Sequence, residues 1–303
     1  MVTVGSGGPG GDRVTDALRA GPSRRFLLAG VGAMTLDACK RKAAVVSGAD
    51  PLQDALDGDW RSSADRSRDR WRHPLQCLRF WGLKPGATVV EFWPGAGWYT
   101  DILAPYLTRT HGVLYAANLQ GDDPSEPAAR AVTEAYKRKL AARPDLYASV
   151  KVTAFGAGTA AAAPPGAADL VLFLRNVHNW MAAGLVEKAF RDAFAALKPG
   201  GALGVEEHRA RPGGVQDVLA ASGYVQEAYV KQIAKEAGFT LASSSEINAN
   251  PKDDRNHPFG VWTLEPTLLS APRGQPPDPS FDHRKYAAIG ESDRMTLRFV
   301  KPA

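Results

Sequence analysis

Cysteine is scarce in this chain: two residues in 303, Cys39 and Cys77. Two thiols exclude a disulfide-stapled scaffold, and no Cys-x-x-Cys or His-x-x-x-His spacing occurs, so no metal ligands are assigned. Long apolar runs are also missing; none reaches the roughly 20 residues that span a bilayer. No Gly-x-Ser-x-Gly elbow is present, which removes a serine hydrolase of that type. Lysine and arginine number 37 against 32 acids, for a net charge of +5, but they are scattered and no stacking motif accompanies them. Nucleic acid is therefore not expected as a partner. Internal repeats are absent too. What remains is an ordinary globular composition, 44% apolar and 23% charged, which is enough for a sizeable core.

The N-terminus reads as an address. Ser23-Arg24-Arg25-Phe26-Leu27-Leu28 resembles a twin-arginine export signal, with a short apolar core from Phe26 to Leu36. Leu36-Asp37-Ala38-Cys39 resembles a lipobox, although Asp37 stands where a small uncharged residue is usual. On this reading residues 1–39 are a signal, 40–59 a tether and 60–303 one folded domain. The protein is then exported, periplasmic or membrane-anchored, meeting the membrane only through a lipid on Cys39. An unprocessed cytoplasmic extension is the alternative.

Elements alternate along the folded part. A helical pattern runs over 63–81, and 88–92 is a strand. Helix is expected over 99–107, 126–142, 181–197 and 225–238; strand over 112–117, 149–154, 169–174, 202–206, 240–247 and 295–301. Residues 156–168 form an Ala/Gly/Pro loop whose low complexity suggests mobility. Residues 248–293 are a connection too long to be idle in a compact domain. This βαβα order implies a doubly wound α/β fold with a mostly parallel sheet.

One stretch carries most of the functional signal: Val89-Val90-Glu91-Phe92-Trp93-Pro94-Gly95-Ala96-Gly97-Trp98-Tyr99-Thr100. A strand, a Pro-Gly-x-Gly turn and a helix make the geometry of a nucleotide-type site. Gly95 and Gly97 let backbone approach a ligand, and the helix start offers N–H groups to an anion.

With Leu174-Arg175-Asn176-Val177-His178-Asn179-Trp180, Glu206-Glu207-His208-Arg209, Ser245-Glu246-Ile247-Asn248-Ala249-Asn250-Pro251, Gly260-Val261-Trp262-Thr263-Leu264 and Asp293-Arg294-Met295-Thr296-Leu297, the chain resembles the class I S-adenosylmethionine-dependent methyltransferases. Within them it is similar to a bacterial family with a Trp-Pro-Gly-x-Gly-Trp-Tyr-Thr loop. The resemblance implies a Rossmann-like, seven-stranded sheet whose last strand is antiparallel and inserted beside the fifth. It also implies S-adenosyl-L-methionine as cofactor, held by Glu91, Trp93, Gly95, Gly97, Asn118 and Phe155, with Arg175 and Asn176 beside them. Trp93 stands where a glycine is usual, and Asn118 where an acid grips the ribose. An amide is the weaker partner, because hydrogen bonds to charged groups are about twice as strong.

Open α/β sheets bind ligands beyond the C-terminal strand ends. Three histidines, His178, His208 and His257, fall on loops at that edge and are the expected catalytic groups, since histidine moves protons near neutral pH. His178 and Arg175 are expected to line the substrate pocket, with His208 or His257 as proton acceptor. Helix capping is the structural alternative, with Asn179 capping a helix that begins near Met181. The expected activity is methyl transfer to a small molecule. Its rival is an exported lipoprotein that uses the same fold to bind another ligand without methyl transfer, because S-adenosylmethionine is made in the cytoplasm.

Overall fold

A computed structural model describes residues 50–119 and 127–303. The signal expected in residues 1–39 and the first half of the tether lie outside the described residues. The described residues begin inside the expected tether, with helix α1 (Pro51–Asp57), started by Pro51 and by Asp50 accepting from the Leu52 N–H. Leu52, Ala55 and Leu56 of α1 are buried in the core, so this part of the expected tether packs with the folded domain.

The helical pattern over 63–81 is three pieces rather than one: α2 (Ser63–Ser67), α3 (Asp69–Arg72) and α4 (Pro74–Trp81). Pro74 has no N–H and disfavours helical backbone before it; His73 takes a left-handed φ of 42° and turns the chain. Next come β1 (Thr88–Phe92), α5 (Thr100–Arg109), β2 (Val113–Leu119), α6 (Pro127–Ala142), α7 (Pro144–Tyr147), β3 (Val150–Phe155) and β4 (Ala168–Leu174). The expected 181–197 helix is also divided, into α8 (Val177–Ala182) and α9 (Val186–Ala196), with Gly184 between them at φ 67°. Because α8 begins at Val177, Asn179 sits inside it and caps nothing. The chain closes with β5 (Leu197–His208), α10 (Glu227–Glu236), β6 (Thr240–Ser245), α11 (Arg284–Ile289) and β7 (Arg294–Val300).

The seven strands form one sheet in the order β3-β2-β1-β4-β5-β7-β6. β1 pairs in parallel with both β2 and β4, so strand order reverses there. β7 is antiparallel to both neighbours, β5 and β6. The Rossmann-like, mostly parallel sheet with an antiparallel last strand is thus the one expected.

Side-chain alternation along β1 feeds both faces. Val90 and Phe92 join the cluster under α8 and α9 with Trp180 and Phe190, while Val89 joins that under α1, α4 and α5. The 156–168 loop packs better than its composition suggested, because Ala162 and Ala163 are buried against the first cluster. Small side chains let backbone lie close to the aromatic core, and this loop exploits it. Among the described residues no helix is long and apolar enough to cross a membrane.

Candidate functional site

Parallel pairing sets the C-terminal ends of β1, β2, β4 and β5 side by side. At the end of β1, Trp93 adopts a left-handed φ of 47° while its N–H still bonds the Ala117 carbonyl. Its indole reaches across to β3, donating from Nε1 to the Phe155 carbonyl at 2.9 Å, and packs edge-on against Phe155 and Trp180. Asn176 fastens the same turn, its amide donating to the Phe92 and Trp93 carbonyls at 3.1 Å each. Gly95 and Gly97 have φ of 59° and 86°. A Cβ on Gly95 meets nothing within 4 Å, so space above the turn is open there; one on Gly97 presses on Tyr136, Lys139 and Thr100 of the helices beside it.

The acid and the amide expected at this turn are both buried. Glu91 accepts from Thr100 Oγ1 at 2.9 Å, and Thr100 in turn meets the Tyr136 hydroxyl. Burial pushes the Glu91 carboxyl from the usual 4.5 up to about 7. Asn118 accepts from the Leu119 N–H, but its Nδ2 donor has no partner among the described residues. An orphan donor at the end of β2 and open space over Gly95 together fit a hydroxyl-bearing cofactor laid across β1 and β2. Phe155 contributes its carbonyl and buried ring to the Trp93 contact.

Beyond the switch point the ends of β4 and β5 line a cavity of about 260 Å³ with Val261, Trp262, Glu265, Pro266 and Thr267. Arg175, at φ 60°, pairs with Glu206 at 2.9 Å. Arg294 also lies 2.9 Å from Glu206 and donates to Glu291, which takes Arg68 and Arg72 as well. These carboxylates are buried, and each is held by at least two guanidiniums. A lone buried carboxylate is costly, so the arrangement stands or falls as a unit.

His178 and His208 meet at this cavity, with ring centroids 5.3 Å apart. Glu207 accepts from His178 Nδ1 at 2.9 Å, so in the neutral ring Nδ1 carries the proton and Nε2 is the accepting nitrogen. His208 Nδ1 lies 2.5 Å from Ser292 Oγ. Desolvation, then the charges of His178, Arg294 and Arg175, hold His208 well below 6.5, so it is neutral at pH 7.

His257 is not brought to this cavity. Its Nε2 bonds Asp253 at 2.8 Å in a separate buried cluster with Tyr224 and Tyr286. Asp253 there accepts from the Tyr224 hydroxyl and from the Asp293 and Arg255 N–H groups, so the cluster ties the 248–293 connection down. Glu207, Ser292, Arg72, Arg294 and Trp262 went unassigned in the sequence reading. The signal for Glu207 was a Glu-Glu-His run ending a strand, where alternation must bury at least one acid.

No family profile matches the sequence, and no curated protein does. Solved structures do match in shape. The [4+2]-cyclase SpnF is 15% identical, with a TM-score of 0.52 over 84% of this chain and 92% of that one. A Galdieria sulphuraria protein described as a sarcosine dimethylglycine methyltransferase is 12% identical, at 0.51 over 82% and 90%. A SAM-dependent methyltransferase from Aquifex aeolicus is 19% identical, at 0.48 over 66% and 94%. The fold is that of the S-adenosylmethionine-dependent methyltransferases. A cyclase shares it, so the reaction must be argued from the site.

Proposed function

We propose that the protein is an S-adenosylmethionine-dependent methyltransferase acting on a small molecule held in the arginine–histidine cavity. The observation that carries this reading is the unpartnered Asn118 donor beside the open Gly95 turn, next to a cavity lined by His178 and His208. The Gly95 turn and Asn118 are the groups to hold the cofactor, with Asn176 keeping the turn in place. When bound, the cofactor supplies an electrophilic methyl group; the protein must position an acceptor and manage its proton. Glu207 fixes the His178 tautomer so that Nε2 takes that proton. His208, held neutral, is the weaker base, and His257 has its Nε2 engaged by Asp253. Arg175, permanently charged, orients an anionic or carbonyl-bearing acceptor while keeping Glu206 neutralised.

The second reading is a lipoprotein that binds another ligand without methyl transfer. The Trp93 indole favours it, because the ring bridges β1 to β3 across the end of β2. Calorimetry separates the two. Methyl transfer requires saturable binding of S-adenosylmethionine or its demethylated product, lost in Gly95→Val, whose side chain fills the open approach. A folded sample that binds neither compound up to millimolar concentration refutes the first reading and supports the second. With activity in hand, His178→Ala lowers the rate by about 100-fold or more in protein that circular dichroism shows to be folded.

A further inference from the structure

The cavity at the ends of β4 and β5 is lined by Arg72, Arg175, Arg273 and Arg294, and all but Arg273 are taken up by carboxylates. Arg72 and Arg294 hold Glu291, Arg294 also stands against Glu206, and Arg175 holds Glu206. Arg273 has neither an ion pair nor a hydrogen-bond partner among the described residues, yet it lines the same cavity. Its guanidinium lies over the Trp262 indole, 4.1 Å from the ring centroid. Such a contact uses no hydrogen-bond donor, so the N–H groups stay free for a ligand. The backbone sets this arm: Leu269 donates to the Trp262 carbonyl at 2.8 Å, folding the chain back toward the ring. Trp262 in turn meets His178 edge-on, with centroids 5.9 Å apart. The guanidinium carbon therefore stands no more than about 10 Å from the His178 ring centre, 4.1 and 5.9 Å laid end to end.

We propose that Arg273 determines specificity for the methyl acceptor, and that the acceptor is a short monocarboxylic acid whose carboxylate binds this guanidinium. The inference rests on the proposed function for calling that ligand an acceptor. A planar carboxylate matches the guanidinium fork with two parallel hydrogen bonds. One free guanidinium neutralises one negative charge. Glu265 lines the same cavity with no ion pair among the described residues, so a second charge, as on a phosphate or a dicarboxylate, meets repulsion. Arg175 keeps its part in orienting the ligand, but Glu206 already meets its charge; Arg273 decides whether the ligand must be charged. Hydrogen bonds of about 2.8 Å at each end, to Arg273 and to His178 Nε2, take up more than half of the span between them. The accepting atom is thus only a few bonds from the carboxylate, as in a short hydroxy or amino acid. Sequence spacing gave no signal for Arg273, because it sits in the Pro-rich 248–293 connection and only the fold-back onto Trp262 brings it to the cavity.

Binding of the acid needs neither cofactor nor turnover, so the test reads Arg273 separately from methyl transfer. Full-length protein is titrated with glycolate and with lactate, each beside its neutral amide. The bound fraction is read from saturation-transfer NMR of the ligand, with inorganic phosphate as competitor. Saturable binding of the acids in preference to the amides is expected. Arg273→Gln should weaken it by about 10-fold or more, and Arg273→Lys, which keeps the charge but loses the planar fork, by less. Arg284→Gln, an exposed arginine on the same connection, should change nothing. Arg273 is itself exposed, so its variants should keep the fold, which circular dichroism checks. The proposal is overturned by no saturable binding of either acid up to tens of millimolar, by equal binding of the amides, by tighter binding of phosphate, or by unchanged affinity in Arg273→Gln. If the acids bind but neither S-adenosylmethionine nor its demethylated product does, Arg273 holds a carboxylate and it is the methyl-transfer reading that fails.

Discussion

Glu91→Gln tests the electrostatics of the cofactor turn quantitatively. In the folded protein the carboxyl is enclosed by Thr100 and Tyr136 and titrates near 7; in the unfolded chain it titrates near 4.5. The folded state therefore binds more protons between these values, and stability from this group is lost as pH rises through them. At about 1.36 kcal/mol per pKa unit, the full span is roughly 3 kcal/mol, and about 2.5 kcal/mol of it falls between pH 5 and pH 8. Glutamine keeps an acceptor for Thr100 and carries no charge. The expected outcome is a variant that gains on the unaltered protein by about 2.5 kcal/mol across that range, favouring the variant at alkaline pH. Urea denaturation of both proteins at pH 5, 6, 7 and 8 provides the assay. Taking the difference cancels every other titrating group that behaves alike in the two proteins. A difference that stays flat within about 0.5 kcal/mol would falsify the claim that burial raises the Glu91 pKa.

Arg294→Met removes a counter-charge from both Glu206 and Glu291 and a donor from the Trp71 carbonyl, while Arg175, Arg68 and Arg72 remain. A loss of about 3 kcal/mol is expected, the lower end for breaking a buried pair; a loss below 1 kcal/mol by the same denaturation assay contradicts the unit described here. For location, changing Arg24 and Arg25 together to Lys should leave the protein in the cytoplasm, and Cys39→Ala should leave it exported but unanchored, both read by cell fractionation. Cytoplasmic residence of the unaltered protein contradicts the export reading.

The order of elements was legible because each depends on local pattern. Apolar periodicity and Gly-Pro punctuation located all seven strands, and the resemblance implied the antiparallel insertion of β7. The divisions at His73 and Gly184 were less visible, although Pro74 and Gly184 themselves signal a break. Asn118 was expected just past its strand and instead lies within β2. The histidines show the limit most clearly. Sequence placed His178, His208 and His257 at one edge, but an edge spans several strands, and a position along it does not state which side chains touch.

By itself the sequence determined the strand–turn–helix at Gly95, the alternation that builds a doubly wound sheet, and the strand ends at which ligand groups gather. These follow from residue type and spacing, which act over a few positions. Tertiary structure alone decided that Glu91 faces Thr100, that Trp93 crosses to Phe155, and that Glu207 orients His178 while His257 closes on Asp253. Those outcomes depend on pairings between distant segments and on the cost of burying a charge without a partner. That cost is set by neighbours the chain acquires only when β4, β5 and β7 have come together.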